Sequence, residues 1–232
     1  MNRIVIVTGS RKGLGHYLCN YFLEEGDIVY GCSRRESTIA HPNYIHFCLD
    51  VADEIAVINM VRQIYKNHKH IDVLVNNAGS ASMNHFLLTP YSTAQKMINT
   101  NFMGTFLMCR EVCRYMIKQR NGRIVNYSTV AVPLNLKGEL VYSSSKAAIE
   151  QLTKVLAAEI GECGVTVNAI GPTPVLTDLI RNVPETKINE LIQNQSIKRL
   201  GEFEDVLNVV KFFIAPESEF ITGQIIYLGG VN

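Results

Sequence analysis

Short runs of consecutive apolar and β-branched residues alternate along the chain with longer stretches in which apolar residues recur every three or four positions. The first kind reads as strand: RIVIVTG (3–9), DIVYGCS (27–33), YIHFCLDV (44–51), IDVLVNNAG (71–79), GRIVNYST (122–129), GVTVNAIGP (164–172) and GQIIYLGG (223–230). The second reads as helix: 14–26, which stops at Gly26, 55–68, 92–119, and a helix from Tyr142 onward. Several of the strands, RIVIVTG and IDVLVNNAG among them, are near-continuous apolar runs, as strands covered on both faces are.

Strand–helix alternation of this kind implies parallel βαβ units with right-handed crossovers. The expected fold class is α/β, a Rossmann-like, doubly wound parallel sheet of about seven strands with helices on both faces. Ligands in such sheets bind beyond the carboxyl ends of the strands. The 232 residues (1–232) are read as a single domain without repeat, linker or low-complexity tract.

Composition narrows the function classes. A 47% hydrophobic and 19% charged chain with a formal net charge of +1 is that of a globular protein. It offers no electrostatic footing for nucleic acid or a membrane surface. No apolar run approaches the ~20 residues that span a bilayer, and MNRIVIVTG enters a strand directly, without a signal-peptide pattern. The six cysteines are scattered and read as reduced, mostly buried thiols of a cytoplasmic protein, with a zinc site as the alternative. No metal is expected.

The first chemistry lies after the first strand. In TGSRKGLG, Gly9, Gly13 and Gly15 remove side chains where the backbone must turn tightly and approach a pyrophosphate, and the following helix N-terminus supplies free N–H groups. NAD enzymes of this architecture place an acid at the end of the second strand to hold the ribose hydroxyls. Here that stretch is CSRRES: Ser33, Arg34 and Arg35, with Lys12 in the glycine turn. Two guanidiniums, and Ser33 where the strand-end acid would stand, predict a preference for NADP(H) over NAD(H).

The second chemistry is YSSSK, Tyr142 to Lys146, two residues four apart on one helix face. TGSRKGLG, Asp50-Val51, NNAG (76–79), NFMG (101–104), GRIVNYST, YSSSK, GPTPVLT (171–177) and ITGQIIYLGG follow one another in this order. With these motifs the chain resembles, from end to end, a short-chain dehydrogenase/reductase. The resemblance implies Tyr142 as the acid/base of hydride transfer to a ketone. It implies Lys146 as the cation that acidifies the phenol and holds the nicotinamide ribose, and Asn101 as the group that holds a water linking the lysine to solvent. For the cofactor it implies Gly9, Arg11, Lys12, Gly13, Leu14 and Gly15 at the phosphates, and Ser33 and Arg34 at the adenosine ribose. Asp50 and Val51 would flank the adenine, Asn77, Ala78 and Gly79 would lie against the ribose, and Tyr142, Lys146, Pro172, Val175 and Thr177 would lie at the nicotinamide end.

Two positions depart from the family pattern. The serine expected thirteen residues before the tyrosine is Thr129, whose hydroxyl can orient a carbonyl equally; Ser128 beside it should point the other way by strand alternation. The glycine expected after Pro172 is Thr173, which does not take positive φ cheaply. Segment 175–201 reads as helices over the site that carry substrate specificity. The histidines, His16 and His85 among them, read as structural or surface residues, and Met97, Met103, Met108 and Met116 as packing. The implied activity is reduction of a small-molecule carbonyl, a 3-oxoacyl thioester, a sugar or another ketone, or oxidation of the matching alcohol. The alternative is a cofactor-binding sensor or scaffold without turnover. A homotetramer is expected from the resemblance, with a dimer second.

Overall fold

The computed structural model describes residues 2–176, 183 and 185–231. Seven strands form one parallel sheet: β1 (Ile4–Thr8), β2 (Ile28–Ser33), β3 (Tyr44–Cys48), β4 (Val73–Asn76), β5 (Gly122–Tyr127), β6 (Val165–Gly171) and β7 (Ile225–Tyr227), in the order β3-β2-β1-β4-β5-β6-β7. The strand order reverses between β1 and β4, so the ligand crevice of such a sheet opens over their carboxyl ends. The glycine turn and NNAG are the loops that leave those two strands.

The helices are α1 (Gly13–Glu24), α2 (Glu54–His68), α3 (Tyr91–Ile98), α4 (Gly104–Gln119), the short α5 (Ala131–Leu134), α6 (Leu140–Ile160), α7 (Glu185–Asn194) and α8 (Phe203–Ile214). Every residue of β1 is buried because its two faces serve two cores. Ile4 and Ile6 pack with Met60, Ile64, Met108 and Val112 on the α2/α4 side. Val5 and Val7 pack with Leu18, Phe22, Val206 and Phe213 on the α1/α8 side. This is the physical content of an uninterrupted apolar run.

The structure shortens the carboxyl ends of several expected strands. Residues 77–79, 128–129 and 228–230 leave the ladder to become loops at the site. The single helix expected over 92–119 is interrupted instead: Asn99–Met103 forms a π turn between α3 and α4. Such bulges arise where a helix must re-aim side chains, and Asn101 is the fully buried member of this one. Of the four methionines expected to pack, Met97, Met108 and Met116 are buried, whereas Met103 is exposed. Among the described residues no helix is long and apolar enough to cross a membrane.

Candidate active site

The site is built from what β1, β4, β5 and β6 release at their carboxyl ends and from α6, which packs on β6 and β5. Tyr142 and Lys146 lie one turn apart on α6 and are both buried. Lys146 Nζ donates to the backbone oxygen of Tyr127, the last residue of β5, at 2.8 Å. It lies 6.0 Å from the centroid of the Tyr142 ring.

Asn101 is locked beside this pair. Its Nδ2 donates to Ser80 O and to Ser145 Oγ, each at 2.9 Å, and its Oδ1 accepts from Ser80 N at 2.8 Å. Ser145 in turn donates to Tyr142 O at 2.7 Å. The π turn thus ties the NNAG loop to the helix carrying the phenol. Gly79 is the point of closest approach: a Cβ there would lie 3.5 Å from Asn101 Oδ1 and 3.7 Å from Lys146 Nζ.

Electrostatics depart from the expectation that the phenol is acidified in place. Burial pushes Tyr142 up to about 12, the nearby Glu139 carboxyl adds to the rise, and a hydrogen bond with Thr129 pulls the other way. Burial lowers Lys146 to about 8. Desolvation of both groups therefore outweighs the spacing of four residues.

Thr129 and Ser128 meet different residues of α6. The Thr129 hydroxyl is on the Tyr142 side and accepts from Ala131 N at 3.2 Å. The Ser128 hydroxyl donates to Glu150 Oε1, which also accepts from Tyr227 Oη at 2.6 Å. Glu150, buried two turns beyond Tyr142 on α6, was not expected from the motifs. The spacing 142, 146, 150 was the signal that places it on the same helix face. Ser80 and Ser145 were likewise not singled out by the motif reading.

At the other end of the crevice the backbone is shaped for a diphosphate. Gly9 and Gly13 hold φ of +68° and +58°, a region side chains disfavour. A Cβ on Gly15 would lie 2.4 Å from Gly9 O. Asn77 Nδ2 donates to Thr8 O at 2.9 Å and to Gly9 O at 3.3 Å, and Ala78 N donates to Thr8 Oγ1 at 2.9 Å. Helix α1 begins at Gly13, directly in the turn, so its electropositive N-terminus lies at the site. These residues fit a dinucleotide. Arg11 and Leu14 flank the same turn. Ser33 ends β2, and Arg34 beside it is exposed. Asp50 Oδ1 accepts from Ala52 N at 3.0 Å, which shapes the turn after β3. Val51 is buried under Gly104.

Thr173 resolves the second departure. It is buried and takes no positive φ. Its side chain instead fills the space beside two glycines: a Cβ on Gly201 would lie 2.8 Å from Thr173 Oγ1, and one on Gly229 would lie 2.7 Å from Thr173 Cγ2. Pro172 O accepts from Val130 N at 3.2 Å, and Val175 bridges to Gly201. Thr177, expected at the nicotinamide, lies outside the described residues.

A family model described as short chain dehydrogenase matches residues 3–188. The chain is 32% identical to (2S)-[(R)-hydroxy(phenyl)methyl]succinyl-CoA dehydrogenase subunit BbsD of Thauera aromatica, covering 99% of this chain and 96% of that protein. It is 30% identical to 3-oxoacyl-[acyl-carrier-protein] reductase FabG of Buchnera aphidicola subsp. Schizaphis graminum, covering 98% and 96%. Among solved structures it is similar to the ligand-free aldohexose dehydrogenase of Thermoplasma acidophilum, with a TM-score of 0.89 and 29% identity over 99% of this chain and 94% of that one.

Proposed function

The chain belongs to the short-chain dehydrogenase family of oxidoreductases, and from that premise we propose that it reduces a ketone with NADP(H), Tyr142 serving as the proton donor. The observation that carries this reading is the buried cluster of Tyr142, Lys146, Thr129 and Asn101 at the carboxyl end of β5, open to a glycine turn fit for a diphosphate. A non-catalytic binder needs no phenol there.

When bound, the nicotinamide supplies the hydride. The chain's residues do the rest. Thr129 donates to the carbonyl oxygen and holds it beside Tyr142 Oη, and Tyr142 gives its proton to the developing alkoxide. Lys146, fixed by Tyr127 O, stabilises the phenolate left behind. Asn101 keeps the NNAG loop and α6 in register, and in the family resemblance it also holds a water that returns a proton through the lysine.

Arg34 and Arg35, with no acid at the end of β2, support a 2′-phosphorylated coenzyme. A 3-oxoacyl thioester is the proposed substrate class, since two of the relatives above are named for acyl thioesters. Segment 175–201 would act as the lid that selects it, in a soluble homo-oligomer.

The test is NADPH oxidation, followed by absorbance, with 3-oxoacyl thioesters, aldoses and simple ketones. Fast turnover of the thioesters is the expected result. Preference for an aldose would reassign the substrate, and tight NADPH binding without turnover of any carbonyl would leave a sensor.

A further inference from the structure

A chain of hydrogen-bonded side chains runs beneath the turn that follows β2. Ser10, fully buried between Gly9 and Arg11, lies with its hydroxyl 3.1 Å from Tyr44 Oη. Tyr44 Oη is 2.8 Å from His46 Nδ1. His46 Nε2 is 3.0 Å from Arg35 O and 3.1 Å from Ser33 Oγ, and Ser33 Oγ donates to Arg35 O at 2.6 Å. Gly31 makes the room: a Cβ there would lie 2.2 Å from Tyr44 Oη and 2.4 Å from Ser10 Oγ.

The directions of these bonds follow from chemistry. A carbonyl only accepts, so Nε2 carries a hydrogen and donates to Arg35 O. In the neutral ring Nδ1 then accepts from Tyr44, whose oxygen is left to accept from Ser10. The glycine turn and the Ser33–Arg35 turn are thereby joined through two side chains of β3, at the edge of the sheet.

We propose that His46 is a positioning residue for coenzyme selectivity, holding the Ser33–Arg35 turn in the geometry that presents Arg34 to a phosphate on the adenosine 2′-oxygen. This rests on the NADP(H) reading above. Arg34 and Arg35 are long, exposed side chains that lose rotamer freedom when they grip a phosphate. A backbone fixed beforehand reduces that loss. A ligand without the 2′-phosphate offers the arginines no anion to grip, so the effect falls mainly on discrimination.

The experiment is calorimetric titration of the full chain with adenosine 2′,5′-bisphosphate and with 5′-AMP. The wild type is expected to bind the bisphosphate more tightly. His46→Leu is expected to weaken the bisphosphate about tenfold while leaving 5′-AMP within about twofold, on the scale of one lost charge-assisted contact. His46→Gln, which can still donate to Arg35 O, is expected to restore most of the difference. Equal loss for both ligands in His46→Leu, or undiminished discrimination in it, overturns the inference while the coenzyme reading stands. Equal wild-type affinities overturn both.

Discussion

Lys146 Nζ is anchored on the backbone oxygen of Tyr127 at 2.8 Å, not on the phenol one turn away. The strand end therefore fixes the ammonium before any ligand arrives. The charge stands 6.0 Å from the Tyr142 ring centroid, where it can stabilise a phenolate without neutralising it by proton transfer in the resting site.

Removing the phenol's proton isolates its role. Tyr142→Phe should lower kcat by roughly 10²–10⁴-fold, the range of general acid catalysis. NADPH affinity, read by fluorescence, should stay within about threefold. Retained turnover would remove the phenol from the chemistry.

Thr129 and Ser128 should separate cleanly. Thr129→Ala should reduce kcat by about 10–100-fold, and Thr129→Ser should recover most of it. Ser128→Ala leaves Glu150 short of a donor, so it should lower the melting temperature by roughly 2–8 °C. Calorimetry together with steady-state rates distinguishes the two patterns.

Burying the lysine opposes folding. Its pKa falls from 10.5 to about 8, so between those values the unfolded chain binds the extra proton and the folded chain does not. Stability should therefore rise with pH across about 8–10.5 from this group. Lys146→Met should remove that slope, stabilise the protein at pH 7 by on the order of 1–3 kcal/mol, and abolish turnover. Urea melts at pH 7 and pH 10 measure both signs.

Selectivity at the 2′-position should reverse with charge. Arg34→Asp should raise the KM for NADPH about 10–100-fold, because a carboxylate repels the phosphate that a guanidinium binds. The KM for NADH should fall or hold. An unchanged ratio would leave Arg34 outside the subsite.

Much of the fold was legible along the chain. Ile4–Thr8 is buried at every position, and a strand covered on both faces leaves an apolar run with no polar phase; Val165–Gly171 is equally buried, although Thr166 and Asn168 interrupt its apolar run. The Tyr142–Lys146 pair was legible for the same local reason, a helix bringing residues four apart onto one face. The π turn at Asn99–Met103 was not legible, because its apolar periodicity on either side is that of one uninterrupted helix. Thr173 was legible as a residue that avoids positive φ, and it takes none; what was not legible is that Gly201 and Gly229, distant in sequence, vacate the space its side chain fills.

Local sequence determined the alternation of elements, the family's motifs and which side chains share a helix face, since these depend on neighbours a few positions away. Only tertiary structure decided that Ser128 finds Glu150 as its partner, that burial raises the phenol, and that His46 meets the turn after β2. Those outcomes are set by desolvation and by partners distant in sequence, and neither can be read from spacing.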